Sequence, residues 1–331
     1  MEHPSLSPET TDLAAGRQRD ILHAVLDAPT LDALAGLAQQ AHAQQIAGEL
    51  ADTIIKTLKP GLAVFGFGGL FGERFTPAQR ANALHMIRLL AEPVQLEPLI
   101  RCLFDRSADV RYAAAWALSS MAMWLEWGTP EIQQAIRALI GAARHREDRE
   151  VRLMAVKTLG RISAWEAKDA LVQRLDDEQD DEIRTEVALA LGRLKHADAV
   201  YDLMSAYEAG EIDAQVCMTA VLRLDNDAIE PLISVLSRWN VRLVSRILAA
   251  DALTRLNAQD AVEQMVIILE RPHEPEEMRL AVAEALGALG DATALPALER
   301  VAQQEVLPPT LARTIDDAML ALRGDGQRRL M

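Results

Sequence analysis

The chain has 331 residues, half of them apolar, with 49 Asp and Glu against 34 Lys and Arg and a formal net charge of −15. Nucleic acid and anionic membrane would repel a uniformly acidic surface, so neither is an expected partner. With only five Trp, three Tyr and five Phe, the core must be built from Ala, Leu, Val and Ile, a bias toward helix over strand.

Two cysteines, Cys102 and Cys217, sit among apolar residues and read as buried free thiols rather than a disulfide scaffold. The start Met-Glu-His-Pro-Ser lacks the basic and apolar regions of a signal peptide, and no run reaches 18 uninterrupted apolar residues. A cytoplasmic, monomeric protein without stable membrane insertion is expected.

In chain order, residues 1–10 read as a disordered start. Residues 11–27 and 30–58 read as two or three helices, with Thr30 or Asp32 as a cap and Pro60-Gly61 as a stop. Residues 61–75 carry Phe65, Phe67, Phe71 and Phe75, with five glycines between 61 and 72, which disfavours regular helix. This loop reads as part of an N-terminal cap over residues 11–75, covering the open end of the helices downstream; docking onto a partner is the other reading.

From residue 76 a repeat organises the chain. Val110-Arg111-Tyr-Ala-Ala114, Val151-Arg152-Leu-Met-Ala155, Ile183-Arg184-Thr-Glu-Val187 and Met278-Arg279-Leu-Ala-Val282 open four clear copies, and weaker ones start at Gln79, Asp213, Ser245 and Leu311. Apolar or small residues recur at the start and four, eight and eleven residues on, the stripe of an amphipathic helix. The small residue at offset four (Ala83, Ala114, Ala155, Cys217, Ala249) lets a neighbouring helix approach closely. A second apolar-periodic segment precedes each copy, so the unit is a helix pair. Asp198, Asp227 and Asp260 are candidate N-caps of those first helices, and Pro98, Pro231 and Pro296 fall in first turns. Residues 323–331 read as a frayed tail.

The aliphatic-Arg-x-x-small-x-x-x-Leu-Gly-Arg-aliphatic helix, clearest at 151–162 and 183–194, resembles the HEAT-type repeat family, in particular its short phycobiliprotein-lyase form. The resemblance spans roughly 76–322 and implies an all-α superhelix of seven to eight stacked helix pairs, with the second helix of each pair lining the concave face. It also implies that the arginine after each start (Arg80, Arg111, Arg152, Arg184, Arg246, Arg279) belongs to a structural Asp/Arg ladder. Function does not follow from such an architecture, which serves scaffolds, lyase subunits, hydroxylases and glycosylases alike.

Three groups of residues remain as binding candidates. Tyr112, Trp116 and Lys157 occupy offsets two and six and form an aromatic and cationic patch if that face is concave; burial against the insertion that follows is the other reading. The insertion 122–129 adds Trp124 and Trp127, and the next turn adds Arg144 and Arg146. Residues 111–152 are thus the favoured partner site. Arg161, Arg193, Arg223 and Arg255 share offset ten in four consecutive copies and make a candidate anion-binding stripe, although a cation in a last turn also serves the helix dipole.

Catalytic signatures are absent. The single His-Glu pair, His273-Glu274, falls short of the several pairs that the hydroxylases of the resembled family use. There is no zinc His-Glu-x-x-His, nucleophile elbow or phosphate-cradling glycine loop. The expectation is a non-catalytic protein-binding scaffold without cofactor or metal. The alternatives are an accessory or lyase subunit for bilin attachment and a metal-dependent hydroxylase-like repeat protein.

Overall fold

A computed structural model describes residues 19–58, 75–92, 94–122, 126, 128–145, 148–304 and 306–328. Among these residues every regular element is helical, and the fold is an all-α solenoid. Phe65, Phe67, Phe71, Trp124, Trp127 and Arg146 lie outside the described residues.

The chain divides into two compact units, Met1–Ile162 and Ser163–Met331. In the first, residues 19–26 are helical (α1), followed by α2 (Leu31–Ala43), α3 (Ala47–Leu58), α4 (Pro77–Leu90), α5 (Leu96–Cys102), α6 (Ala108–Ala122), α7 (Pro130–Ala143) and α8 (Arg149–Arg161). Helices α2, α4, α6 and α8 pack in sequence order as one layer, and α3, α5 and α7 form the other. The N-terminal helices thus continue the stack: α2 lies on α4 as α4 lies on α6.

The second unit repeats the plan with first helices α9 (Lys168–Asp177), α11 (Ala199–Ala209), α13 (Ile229–Ser237), α15 (Val262–Glu270) and α17 (Leu295–Ala302). Their partners are α10 (Asp181–Arg193), α12 (Ala214–Leu224), α14 (Leu243–Arg255), α16 (Glu276–Leu289) and α18 (Pro309–Arg328). The even-numbered helices again pack in order, and so do the odd-numbered ones.

The apolar stripe explains this layering. Offset four is fully buried in every copy: Ala83, Ala114, Ala155, Val187, Cys217, Ala249, Val282 and Ile315. Offset eight is buried in all eight, and offset eleven in all but the half-buried Leu256. No helix pair could hide such a stripe alone, so each needs its neighbours. Burial also pushes the Cys102 thiol up to about 11 and the Cys217 thiol up to about 12, which leaves both protonated and unreactive.

Local chemistry departs from expectation at two places. Asp198 stands at the start of α11 without a side-chain cap bond, while Asp227 and Asp260 lie inside the 3-10 turns Asp225–Ala228 and Gln259–Ala261. The capping is done by backbone instead: Ala199 N donates to His196 O at 2.9 Å and Ala261 N to Ala258 O at 3.1 Å. These i to i−3 bonds satisfy the exposed N–H groups of the first turn. Helix α18 runs to Arg328 rather than ending near 322, because Gly324 stays helical where a stop would need a left-handed residue. Side-chain caps form elsewhere, among them Thr30 on Ala33 N (3.2 Å), the Thr76–Gln79 capping box, Thr129 on Ile132 N (3.4 Å), Asp180 on Ile183 N (3.1 Å), Asp213 on Val216 N (2.7 Å) and Asp291 on Thr293 N (2.9 Å).

Candidate functional site

Four of the six arginines that follow a start reach to the next repeat, whereas Arg152 donates to His145 O in the turn before its own helix and Arg184 pairs with Asp181 in its own first turn. Arg80 reaches from α4 to Asp105, in the turn before α6, at 3.0 Å, and Arg111 reaches from α6 to Asp148, in the turn before α8. Arg246 grips both oxygens of Glu274 at 2.9 Å from α14, and Arg279 donates to Gln304 Oε1 at 3.1 Å from α16. Each of these four pairs joins a second helix to the turn that starts the next one, so this part of the row is a structural ladder. Its effect is evident in the acids: the guanidinium of Arg246 holds Glu274 below the ordinary carboxylate range, and Arg111 does the same for Asp148.

The offset-ten arginines are less uniform. In the first unit, exposed Arg161 ends α8 with Nη1 at 3.4 Å from Ser119 Oγ. In the second, Arg255 is held bidentately by Asp251 one turn back, at 2.9 Å on both oxygens. Arg193 lies 3.9 Å from Glu186. Arg223 is half-buried with Nη1 3.5 Å from Leu189 O, and its pKa is lowered by burial and then by the Arg193 charge. The second unit therefore offers one close arginine pair, with an acid beside it, rather than an even row of open cations.

On the first unit, offset six brings different chemistry onto one face. His85 of α4, Trp116 of α6 and Lys157 of α8 hold that offset on three helices that pack in order. Tyr112 meets Trp116 edge to face, with ring centroids 6.1 Å apart and planes at 69°. Arg88, one turn beyond His85, stacks its guanidinium 4.7 Å from the centre of the Trp116 ring. His85 Nδ1, Arg88 Nε and Trp116 Nε1 are all buried without a hydrogen-bond partner among the described residues. Buried polar atoms are normally satisfied, so three unsatisfied ones at one helix contact are unusual. Burial, reinforced by Arg88 and opposed by Asp109, lowers the His85 pKa and keeps the imidazole neutral near pH 7.

Of the residues favoured from sequence, the structure brings together Tyr112 and Trp116 and places Lys157 on the same row. Arg144 is exposed in the α7–α8 turn, off that row. His85 and Arg88 escaped the sequence reading because their copy begins with Gln79 rather than an aliphatic-Arg step. The offset shared by His85 and Trp116 was the available signal. Among the described residues, no three of His, Cys, Asp and Glu converge as metal ligands, and no helix is long and apolar enough to cross a membrane.

Comparison with known proteins bears on the architecture. A HEAT-repeats profile matches residues 136–216 and 229–313, about half of the chain, and a second HEAT-repeat profile matches 96–125. No curated protein matches the chain in sequence. Similar solved structures include the CpcE–CpcF complex of phycocyanin lyase from Nostoc sp., at 21% identity and TM-score 0.37, covering 70% of this chain and 95% of that one. Human deoxyhypusine hydroxylase in complex with glycerol is 21% identical at TM-score 0.32, covering 85% and 99%. The YibA protein of E. coli is 13% identical at TM-score 0.37, covering 96% and 99%. With its buried stripes, its ladder of arginines and the profile match over half its length, this chain belongs to the HEAT repeat family.

Proposed function

We propose that the protein is a non-catalytic binding scaffold whose partner, another protein, docks on the α4–α6–α8 face. The observation that carries the reading is the cluster of His85, Arg88, Tyr112, Trp116 and Lys157, an aromatic and cationic group on one face of three packed helices. Aromatic and arginine anchors are what interface hot spots use. The charge background agrees: the first unit holds 18 acids and 17 bases, so a partner meets no general repulsion there.

The test is affinity capture followed by mass spectrometry, comparing the wild type with the double variant Trp116→Ala/Lys157→Glu and with Arg255→Ala as a control far along the chain. Loss of the specifically captured proteins in the double variant alone, with helical circular dichroism unchanged, is the expected result. Identical capture by all three would sink the reading. Bilin or iron absorption in the purified protein would overturn its non-catalytic part.

A further inference from the structure

Away from that face, the second unit contains a cleft whose charge runs against its surroundings. Ser163–Met331 has 31 acidic and 17 basic residues, yet the stretch 231–250 has no acid and three arginines, Arg238, Arg242 and Arg246. The turn between α13 and α14 lifts Trp239 to 87% exposure. Beside it opens a cavity of about 410 Å³, walled by Val241 and Leu243 on one side and by Pro272, His273 and Pro275 of the α15–α16 turn on the other. A tryptophan side chain covers about 150–250 Å² when buried, so leaving this one in water forgoes a large apolar gain.

The charges around the cleft are unevenly matched. Arg246, below it, is fully engaged: Nε donates to Leu236 O at 2.9 Å, and both terminal nitrogens donate to Glu274 at 2.9 Å. Glu274 also serves Arg271 at 3.4 Å, so one carboxylate answers two guanidiniums. Arg238 is exposed, lies over the Tyr201 ring at 5.4 Å and makes no ion pair among the described residues. The Arg242 guanidinium donates to Glu208 O at 2.7 Å and its backbone N to Glu208 Oε1 at 3.2 Å, so one carboxylate stands beside this arginine. Positive charge is thus left at the rim by Arg238 and by the two arginines that share Glu274, beside an apolar and aromatic wall in an otherwise acidic unit.

We propose that this cleft binds an acidic peptide: one apolar side chain seats between Trp239 and the Pro272 wall, while carboxylates on either side meet Arg238 and Arg271. Charge complementarity selects the peptide, and the net −14 of the unit, which would repel a long polyanion, confines the attraction to a short segment. A nucleic acid carries its charge along its whole length and meets that repulsion throughout.

The probe is a fluorescein-labelled decapeptide with Leu and Phe at its centre, one Asp or Glu on each side of them and Gly or Ser elsewhere, titrated by anisotropy with the full-length protein. Binding should weaken as salt screens the rim. It should fall roughly tenfold or more in Trp239→Ala, the scale of a lost anchor, and also fall in Arg238→Glu, with circular dichroism unchanged because both side chains are exposed. A peptide with Lys in place of the acids should not bind. Equal binding of the acidic and basic peptides, unaltered affinity in both variants, or stronger binding of oligo-dT would each overturn the proposal. No residue is shared with the α4–α6–α8 face, so failure here leaves that reading untouched.

Discussion

Gly192 shows what a single missing methyl does in this stack. A Cβ at that position would overlap the Ala220 carbonyl oxygen and lie 2.9 Å from its carbon, so α10 and α12 touch backbone to backbone. Gly287 occupies the same offset on α16, where a Cβ would come within 2.9 Å of Ala318 Cα. The Leu-Gly step of the repeat motif is therefore a packing requirement, as glycine in mid-helix is otherwise unfavourable by about 0.5–1 kcal/mol. Gly192→Ala should lower stability by about 1–3 kcal/mol through overpacking, in spite of the better helix former. Gly36→Ala is the control: its Cβ would meet nothing within 4 Å on the exposed side of α2, so it should raise stability by about 0.5–1 kcal/mol. Urea unfolding of both variants checks the pair, and a Gly192→Ala midpoint at or above the wild type would show that the helices do not touch as described.

Between residues and the whole, the ladder ties helix pairs to their neighbours within each unit. Arg246 and Glu274 are 5% and 9% exposed, so truncating one leaves a buried charge without its counterion. Arg246→Ala should cost about 3–5 kcal/mol. The sign of the pH effect follows from the depressed Glu274 pKa. The stabilisation is fully present above the ordinary Glu value of about 4.3 and is lost as pH falls from there through the folded-state pKa. Denaturant unfolding from pH 7 down to pH 3 should show this loss in the wild type and less of it in Glu274→Gln; parallel profiles would remove Glu274 from the ladder's pH response. The stripes and the ladder arginines were legible in the sequence because period and charge are carried by side-chain type. The turns were not. Helices α8, α10, α12 and α14 are followed by Ser163, Lys195, Asp225 and Asn257 at positive φ, and only α16 marks the spot with glycine, Gly290. Four unlike residues share a positive φ because the stacked helices dictate the turn, and the 3-10 lead-ins displaced the aspartate caps for the same reason. The candidate face was half legible: Trp116 and Lys157 stood out by type, whereas His85 and Arg88 acquire meaning only when α4 is laid on α6.

At the scale of the molecule, the charge is divided along the chain rather than spread over it. The first unit is nearly neutral, with 18 acids and 17 bases, and the second carries 31 acids and 17 bases. Self-repulsion destabilises a compact state of high net charge, and added salt screens it over a Debye length of about 10 Å at 0.1 M. Salt also weakens exposed ion pairs such as Arg300–Glu270 and Arg323–Glu299, but such pairs each contribute only about 0–1 kcal/mol. The repulsive term should dominate in the second unit and have little to act on in the first. Since an array of repeats opens locally rather than all at once, amide hydrogen exchange can read the two units separately. Raising sodium chloride from low to moderate concentration should slow exchange in α9 to α18 and leave α2 to α8 nearly unchanged. A uniform response along the chain, or faster exchange in the acidic unit, would mean that its excess carboxylates are too well separated to repel. The acidity would then matter only to what approaches the molecule, the peptide cleft at Trp239 included.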